Sequence, residues 1–294
     1  MDFLSLVDLA QSVIDGLLFG STYALIGIGF TLIFGVMQKI NLSYAATAVA
    51  AAYLSLVLVN VMPTPFVYIT AALAGGVLGW MIYLVCFRFL PINNPHATLL
   101  STVGMLLAIE ELISHVTHGM PLNYPAMFQD SNIEFGPFFV RGDLLFVFVL
   151  GCIAMVGLIQ LLKRTRLGLA TRAVAQQPVA AQLCGMGIAS TNVSTFVIAG
   201  LLGGTAGAMT GAAVGVLSPL LALPLTVKGL VVTVIGGLGS IPGAIVAGLI
   251  VGATENLFQF MRGVSERDIY VMLMLFVFLV FRPGGLFSAP GGRD

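Results

Sequence analysis

Charged side chains are scarce in this sequence. Asp, Glu, Lys and Arg make up 8% of its 294 residues, and the formal net charge is zero. A soluble globular protein carries about a quarter of its residues as charged side chains. Here 59% of the residues are hydrophobic and the mean hydropathy is +1.06. These values predict an integral membrane protein in contact with lipid, and the absence of a positive net charge argues against a nucleic-acid partner.

Several sequence patterns that would indicate an enzyme or a cross-linked protein are also missing. The three cysteines, Cys86, Cys152 and Cys184, are far apart, which predicts neither disulfides nor a zinc cluster. The first basic residue is Lys39, so we expect no cleaved signal peptide. We find no nucleophile elbow, metalloprotease motif or GxxxxGK[ST] loop. We therefore expect a chain without catalytic residues, metal or cofactor, and without its own ATPase.

Long apolar runs predict an all-α, polytopic helical bundle that forms one transmembrane domain over residues 1–294. Residues 3–17 have helical amphipathic spacing, which predicts a helix lying along the membrane surface. Eight to nine membrane segments follow, and we favour nine. The seventh is short and Gly-rich, with about 16 of the roughly 20 residues that a crossing needs. The segments are 16–34, 44–61, 66–88, 97–116, 144–162, 191–216, 220–235, 244–260 and 269–281.

The segment 163–190 is a basic loop that orients the chain. It contains Lys163, Arg164, Arg166 and Arg172 and no acidic residue, which predicts a cytoplasmic location. Five preceding crossings then place the N-terminus and the loop 117–142 outside, and nine crossings place the C-terminus inside. Arg141 is the basic residue of this half that lies on the unexpected side.

Within the basic loop, the sequence predicts two short helices separated at Pro178. Proline is favoured at the first position of a helix, and residues 179–183 are compatible with helix. Gly185 is suited to the left-handed conformation that ends a helix. Such an element outside the membrane is a contact site for a partner protein.

Two glycine patterns stand out in the second half of the chain. Gly203, Gly207, Gly211 and Gly215 recur every four residues, which favours either close helix packing or a seam that slides during transport. A second cluster cannot lie inside a helix, so it predicts either a broken helix or a tight cytoplasmic turn. This cluster comprises Gly236, Gly237, Gly239, Ser240, Pro242 and Gly243.

Four ionisable residues lie within apolar segments: Glu110, Glu111, Lys228 and Glu255. Charges in a membrane interior pair with each other or line a polar cavity, and both alternatives stay open here. Glu111 also shares helical spacing with His115 and His118, which raises the hypothesis of a metal site. A fourth ligand is not evident.

Three blocks carry a resemblance to a known family. They are GLLFGSTYALIGIGFTLIFGVMQKIN at 16–41, ATRAVAQQPVAAQLCGMGIASTNVSTFVIAGLLGGTAGAMTG at 170–211, and VKGLVVTVIGGLGSIPGAIVAGLIVGATENL at 227–257. Together they resemble the LivH-type permease subunit of branched-chain amino-acid ABC importers of the bacterial inner membrane. The resemblance implies four kinds of partner. These are a LivM-like permease, two cytoplasmic LivG/LivF-like subunits that bind ATP and Mg²⁺, a periplasmic binding protein and membrane lipid.

The resemblance also implies roles for residues of the basic loop. It implies that 177–185 is the coupling helix that an ATPase subunit holds, through Gln177, Pro178, Val179, Ala180, Ala181, Leu183 and Gly185.

One departure from the family leaves the substrate open. Asn41 is followed by Leu42-Ser43-Tyr44-Ala45-Ala46 instead of an Asn-Phe-Ala-His-Gly type sequence. Branched-chain or other hydrophobic amino acids are the leading prediction. Urea, amide or aromatic-compound import, or a stand-alone facilitator or channel, are alternatives. Candidate pathway residues are polar groups in or beside apolar segments: Tyr23, Thr31, Asn41, Ser43, Tyr44 and Lys228.

Overall fold

The fold is that of an all-α membrane protein. The computed structural model describes residues 3–59, 63–90, 95–128, 132–135, 137–263, 266–282 and 284–287. Asp130 of the predicted external loop lies outside these residues, as do the chain ends of the predicted 1–294 domain. The described helices are α1 (Phe3–Met37), α2 (Tyr44–Leu56), α3 (Thr64–Ile82), α4 (Pro95–Thr117), α5 (Gly142–Arg164), α6 (Arg166–Gln176), α7 (Pro178–Leu183), α8 (Ile188–Val214), α9 (Ala222–Gly236), α10 (Ile241–Arg262) and α11 (Arg267–Phe281).

Short irregular elements connect these helices. A π-helical turn, Tyr83–Arg88, continues α3, and a 3-10 turn, Pro219–Leu221, precedes α9. Strand β1 (Leu122–Asn123) pairs antiparallel with β4 (Val216–Leu217), and β2 (Asn132–Phe135) pairs antiparallel with β3 (Phe138–Arg141). All four strands lie at one end of the bundle, which we call the hairpin end. Helices α6 and α7 lie at the other, which we call the basic end.

Nine helical segments of the described chain run between these two ends in alternating directions: α1–α5 and α8–α11. Seven of these segments are long and apolar enough to cross a membrane. This count includes the π-helical turn as part of α3 and the 3-10 turn as part of α9. Helices α2 and α11 are shorter, with 13 and 15 residues. Near the start of α1, Gln11 Nε2 donates to the Phe139 carbonyl over 2.6 Å at the hairpin end. Beyond α11, Leu286 N donates to Ile235 O over 2.8 Å at the basic end. The predicted all-α, polytopic helical bundle is confirmed, and seven helices of the described chain are long and apolar enough to cross a membrane, against the eight to nine segments predicted.

The prediction of a separate surface helix at the N-terminus is wrong, because α1 is one continuous helix of 35 residues. Two of its early polar side chains, those of Gln11 and Ser12, contact protein. Ser12 Oγ donates to the Asn256 carbonyl over 2.9 Å, and Asn256 Nδ2 donates to the Ser12 carbonyl over 2.8 Å. Gly16 and Gly20 allow α10 to approach closely, since an added Cβ would meet its backbone. The spacing of polar residues is the same whether they face water or another helix.

The glycines of α8 pack on two helices. Gly200 and Gly204 lie against α3. A Cβ on Gly200 would overlap the Gly75 carbonyl oxygen, and a Cβ on Gly204 would overlap the Ala71 carbonyl oxygen. On a neighbouring face, Gly203 and Gly207 pack against α2. This confirms the close helix packing that the four-residue spacing predicts. Gly215 differs from the others, because it ends α8 in a left-handed conformation with φ of 78°.

The hairpin end has its own polar contacts. Arg141 forms an ion pair with Asp143, whose side chain is 5% exposed, which accounts for a basic residue at this end. Tyr124 packs against Gly211 and lies 3.0 Å from Ser55 through their hydroxyl groups. Burial raises the pKa of the Tyr124 phenol to about 12, so this hydroxyl stays protonated at neutral pH.

Candidate functional site

Four charged side chains and a tyrosine meet where α1, α9, α10 and α11 come together. We call Tyr23, Lys228, Glu255, Arg267 and Asp268 the charge cluster. Lys228 Nζ donates to Glu255 Oε1 over 2.8 Å and lies 2.9 Å from Asp268 Oδ1. Arg267 Nε bonds the same Glu255 oxygen, and Arg267 Nη2 donates to Tyr23 Oη over 3.0 Å. Tyr23 Oη in turn donates to Glu255 Oε1 over 3.2 Å. Two cations and two carboxylates leave the cluster neutral.

Burial decreases steadily across the charge cluster. The Glu255 side chain is 1% exposed, Lys228 is 12% exposed and Asp268 is 66% exposed. Glu255 Oε2 has no hydrogen-bond partner among the described residues. Removing one partner from a buried ion pair leaves an uncompensated charge, at about 3–5 kcal/mol. Ion pairing, which the sequence left as one of two alternatives, is therefore found for Lys228 and Glu255.

Three predicted pathway residues lie where the chain turns back from α1 into α2. Asn41 Oδ1 accepts hydrogen bonds from Ser43 N over 3.2 Å and from Ser43 Oγ over 2.7 Å. Tyr44 Oη donates to the Ala199 carbonyl over 2.9 Å. All three residues are buried. Their polar atoms are used within the chain, so their contacts stabilise the start of α2.

Glycines make the space for Tyr44. A Cβ on Gly29 would overlap the Tyr44 hydroxyl, and one on Gly203 would lie 3.1 Å from the ring. The structure therefore places the six predicted pathway residues at three locations. Tyr23 and Lys228 are in the charge cluster, Asn41, Ser43 and Tyr44 are at the start of α2, and Thr31 lines a cavity described below.

The predicted Gly-rich segment breaks the chain between α9 and α10. Gly236 is the last residue of α9, and Pro242 and Gly243 lie in the first turn of α10. Gly237 and Gly239 take φ values of 101° and 88°, a region that favours glycine. Ser240 caps α10, because its Oγ accepts from Gly243 N over 3.2 Å.

The chain after α11 returns to this break. Leu286 N donates to Ile235 O over 2.8 Å, and Phe287 N donates to Gly236 O over 3.3 Å. Gly285 packs on the backbone of Gly237. The last carbonyls of α9 thus obtain the partners that a helix end needs.

A cavity of about 760 Å³ lies at the basic end, between α1, α5, α6 and the α9–α10 break. We call it the basic-end cavity. Its wall is mainly apolar, with Leu162 and Phe287 among the lining side chains. Lys163 and Arg172 also line it. Thr31 is 1% exposed at its wall, and Thr31 Oγ1 has no hydrogen-bond partner in the described part of the chain.

The two short helices predicted in the basic loop are present as α6 and α7. Thr165 caps α6, since its Oγ1 accepts from Gly168 N over 3.2 Å. Pro178 is the first residue of α7, and Gly185 follows the helix with φ of 82°. Gly185 N donates to Gln182 O over 2.9 Å. Local proline and glycine preferences thus fix both ends of α7.

The faces of α7 differ in what they contact. Ala181 is 5% exposed and packs with Val36 and Val174 in a small core of its own. Val179 and Leu183 are 68% and 85% exposed. Helix α7 therefore joins the bundle through one residue and turns apolar side chains away from it.

The hypothesis of a metal site on α4 is wrong for the described residues, which contain no group of three or more His, Cys, Asp or Glu able to hold an ion. The physical reason is that α4 ends at Thr117 and His118 takes φ of 53°, so the helical spacing from Glu111 does not continue. Glu110 Oε2 is buried without a partner among those residues, and nothing in the structure explains its role.

Arg267 and Asp268 are the cluster residues that the sequence did not single out. The predicted ninth segment begins at residue 269, whereas α11 begins at Arg267. The sequence does contain a signal for this pairing: Glu255 lies in one apolar segment, and Arg267 comes just before the next. The pairing itself depends on how α10 and α11 pack.

Comparison with known proteins identifies the family. A sequence profile described as branched-chain amino acid transport system / permease component matches residues 12–281. The chain is 28% identical to BraD of Pseudomonas aeruginosa, a high-affinity branched-chain amino acid transport system permease protein, over 95% of this chain and 96% of BraD. It is 27% identical to LivH of Escherichia coli K12, which has the same description, over 95% of this chain and 96% of LivH.

The chain is also similar to a solved structure, PsaBC from Streptococcus pneumoniae in complex with Fab. The TM-score is 0.48 and the identity is 14%, over 96% of this chain and 91% of that one. The profile match, in contrast, is to a transport component and extends over nearly the full length. The resemblance to LivH-type permeases is therefore confirmed, and the chain belongs to the family of permease components of branched-chain amino acid transport systems.

Proposed function

We propose that this chain is one permease subunit of an ATP-driven importer, with α7 as the contact site for an ATP-binding subunit. A LivM-like second permease, two LivG/LivF-like ATP-binding subunits and a periplasmic binding protein complete the proposed complex. Family membership supports the role as a transport subunit. Branched-chain or other hydrophobic amino acids are the proposed substrates, since the relatives' names specify branched-chain amino acids.

The observation that carries the proposal is the outward face of α7. Val179 and Leu183 are largely exposed, and Ala180 beside them is small and exposed. Exposed apolar side chains next to small residues are typical of protein interaction sites. Because α7 lies in a basic loop, the positive-inside rule favours the cytoplasm for this end. The N-terminus is then periplasmic and the C-terminus cytoplasmic.

The contacts of the basic loop suggest how force would reach the transmembrane helices. Ala181 of α7 packs on Val36 of α1, and a Cβ on Gly168 of α6 would overlap the Leu162 backbone of α5. Displacement of α6 and α7 would therefore move the basic ends of α1 and α5. These two helices also form walls of the basic-end cavity.

The test uses Ala180→Arg in the assembled complex, reconstituted with its ATP-binding subunits inside and its binding protein outside. We expect ATP-driven uptake to fall at least about tenfold, because a bulky charge does not fit a packed apolar contact. Ala189→Arg, an exposed alanine at the start of α8, is the matched control and should retain uptake. Wild-type uptake by Ala180→Arg would contradict the proposed contact.

Ala181→Arg serves a different purpose from Ala180→Arg. Since Ala181 is buried within the chain, we expect this change to detach α7 and reduce the yield of folded protein. Uptake by vesicles that contain only this chain would favour a facilitator. Competition by leucine, urea, an amide and an aromatic acid against uptake by the complex would identify the substrate class.

A further inference from the structure

The basic-end cavity is large enough for a ligand and lies apart from the outward face of α7. Its volume of about 760 Å³ is within the range of small-molecule sites, about 300–1,000 Å³. Its walls come from α1, α5 and α6, and from the α9–α10 break. A molecule bound there would contact both the basic loop and the broken segment.

The charge at this cavity is positive. Lys163 and Arg172 line it, and none of the described lining residues is acidic. Arg172 Nε donates to the Gly168 carbonyl over 3.3 Å. The Arg172 guanidinium forms no ion pair with a carboxylate of the described chain. Helix α10, which has 22 residues, begins at the cavity wall with Ile241, and a helix N-terminus attracts negative charge.

Thr31 provides a second, independent indication of a ligand. Its side chain is buried at the cavity wall, and its hydroxyl lacks a partner among the described residues. A buried hydroxyl without a partner destabilises a protein, because it has lost its hydrogen bonds to water without gaining others. A polar ligand atom in the cavity would supply the missing hydrogen bond.

The rest of the cavity wall is apolar, which favours a ligand with a hydrocarbon part. Leu32, Phe34, Leu162 and Phe287 line the same cavity. A zwitterionic amino acid would need an acidic partner for its ammonium group, and the described lining offers none. An anion that carries an apolar chain satisfies both parts of the wall.

We propose that the basic-end cavity binds an amphiphilic anion, whose carboxylate or phosphate is held by Lys163, Arg172 and Thr31. The ligand links the basic loop to the α9–α10 break and stabilises their relative position. Its source is either an anionic phospholipid of the surrounding membrane or a soluble apolar carboxylate. This proposal does not depend on the proposed contact with an ATPase subunit.

Two probes distinguish the sources, both with the full chain. The first is phosphatidylglycerol, counted by native mass spectrometry after reconstitution in phosphatidylcholine nanodiscs that contain it. The second is octanoate, followed by the thermal unfolding midpoint in detergent. We test Lys163→Gln, Arg172→Gln and Thr31→Val, with Arg166→Gln as a basic-loop control that does not line the cavity.

We expect each test variant to reduce affinity for one of the probes by about fivefold, and Arg166→Gln to leave it unchanged. Selective retention of phosphatidylglycerol identifies a lipid, and an octanoate-dependent rise in midpoint identifies a soluble carboxylate. The proposal is overturned if wild-type protein binds neither probe, or if Arg166→Gln weakens binding as much as Arg172→Gln does. Circular dichroism of every variant checks that the helices are intact.

Discussion

Helices α1 and α10 pack along most of their length, but the space beside them is filled differently toward the two ends. Toward the hairpin end, the charge cluster joins them to α9 and α11 through Tyr23 and Glu255. Toward the basic end, the α9–α10 break and the basic-end cavity lie beside them, and Gly35 lies beside Gly239 of the break. This helix pair is thus joined by a hydrogen bond within the charge cluster in one part and has unfilled space beside it in another.

This difference indicates which part of the bundle can rearrange. Buried ion pairs demand particular geometry, because a displaced charge loses its partner without regaining water. A cavity imposes fewer directional constraints, and the break between α9 and α10 contains Gly237 and Gly239 with positive φ. We therefore expect motion in the importer to occur at the basic end, around a fixed charge cluster.

Glu255→Leu should have the largest effect on stability. It leaves Lys228 and Arg267 without the acid that they share, so we expect the free energy of unfolding to fall by about 3–5 kcal/mol. Denaturation of the purified protein by SDS in mixed micelles measures this change. The triple variant Glu255→Leu, Lys228→Met, Arg267→Met should recover most of the loss, because no unpaired cation then stays behind. If it is as unstable as the single variant, packing rather than charge explains the effect.

Asp268→Asn is the matched control within the cluster. The Asp268 side chain is 66% exposed, and exposed ion pairs contribute at most about 1 kcal/mol. A loss equal to that of Glu255→Leu would contradict the gradient of burial across the cluster.

Gly243→Ala should have the next largest effect, at the basic end. A Cβ at this position would overlap the Gly236 carbonyl where α10 packs on α9. Overpacking of this kind costs about 1–3 kcal/mol. The same SDS titration measures stability, and ATP-driven uptake shows whether the altered break still transports. An unchanged free energy of unfolding would mean that this contact is looser than the structure shows.

The sequence was sufficient to predict the features that depend on local chemistry. Pro178 and Gly185 fix the ends of α7, and the run from Gly236 to Gly243 fixes the break, because proline and glycine limit the backbone wherever they occur. The Gly203 and Gly207 spacing predicted close packing for the same reason. These residues indicated where helices end and approach, without indicating their partners.

The remaining features depend on tertiary contacts. Glu255 and Arg267 are twelve positions apart, and their pairing follows from the angle between α10 and α11. Ala181 faces inward because Val36 of α1 lies beneath it. The polar residues of α1 resembled those of a surface helix because a polar stripe has the same spacing against Asn256 as against water.

Gly239→Ala tests the backbone of the break without a steric clash. The nearest atom to an added Cβ is Gly35 Cα, at 3.9 Å, so only the φ of 88° opposes the change. We expect a loss of about 1–2 kcal/mol, the usual cost of a left-handed alanine. Gly35→Ala is the control, since it lies in α1 with ordinary space around its Cβ, and it should lose nothing. If the two variants lost equal free energy of unfolding, the cost of Gly239→Ala would come from packing and not from its backbone conformation.

Thr31→Val should have the smallest effect, and its sign is opposite. Because the Thr31 hydroxyl is buried without a partner in the described chain, its replacement by a methyl group should raise the free energy of unfolding by about 1 kcal/mol or less. Thr22→Val on the same helix is the control, since Thr22 Oγ1 donates to the Phe19 carbonyl over 2.7 Å and that hydrogen bond would be lost. Both are measured in detergent free of anionic lipid. A gain for Thr31→Val with a loss for Thr22→Val would show that the Thr31 hydroxyl is unsatisfied when no ligand is bound, whereas a loss for both variants would mean that Thr31 already has a partner at the cavity wall.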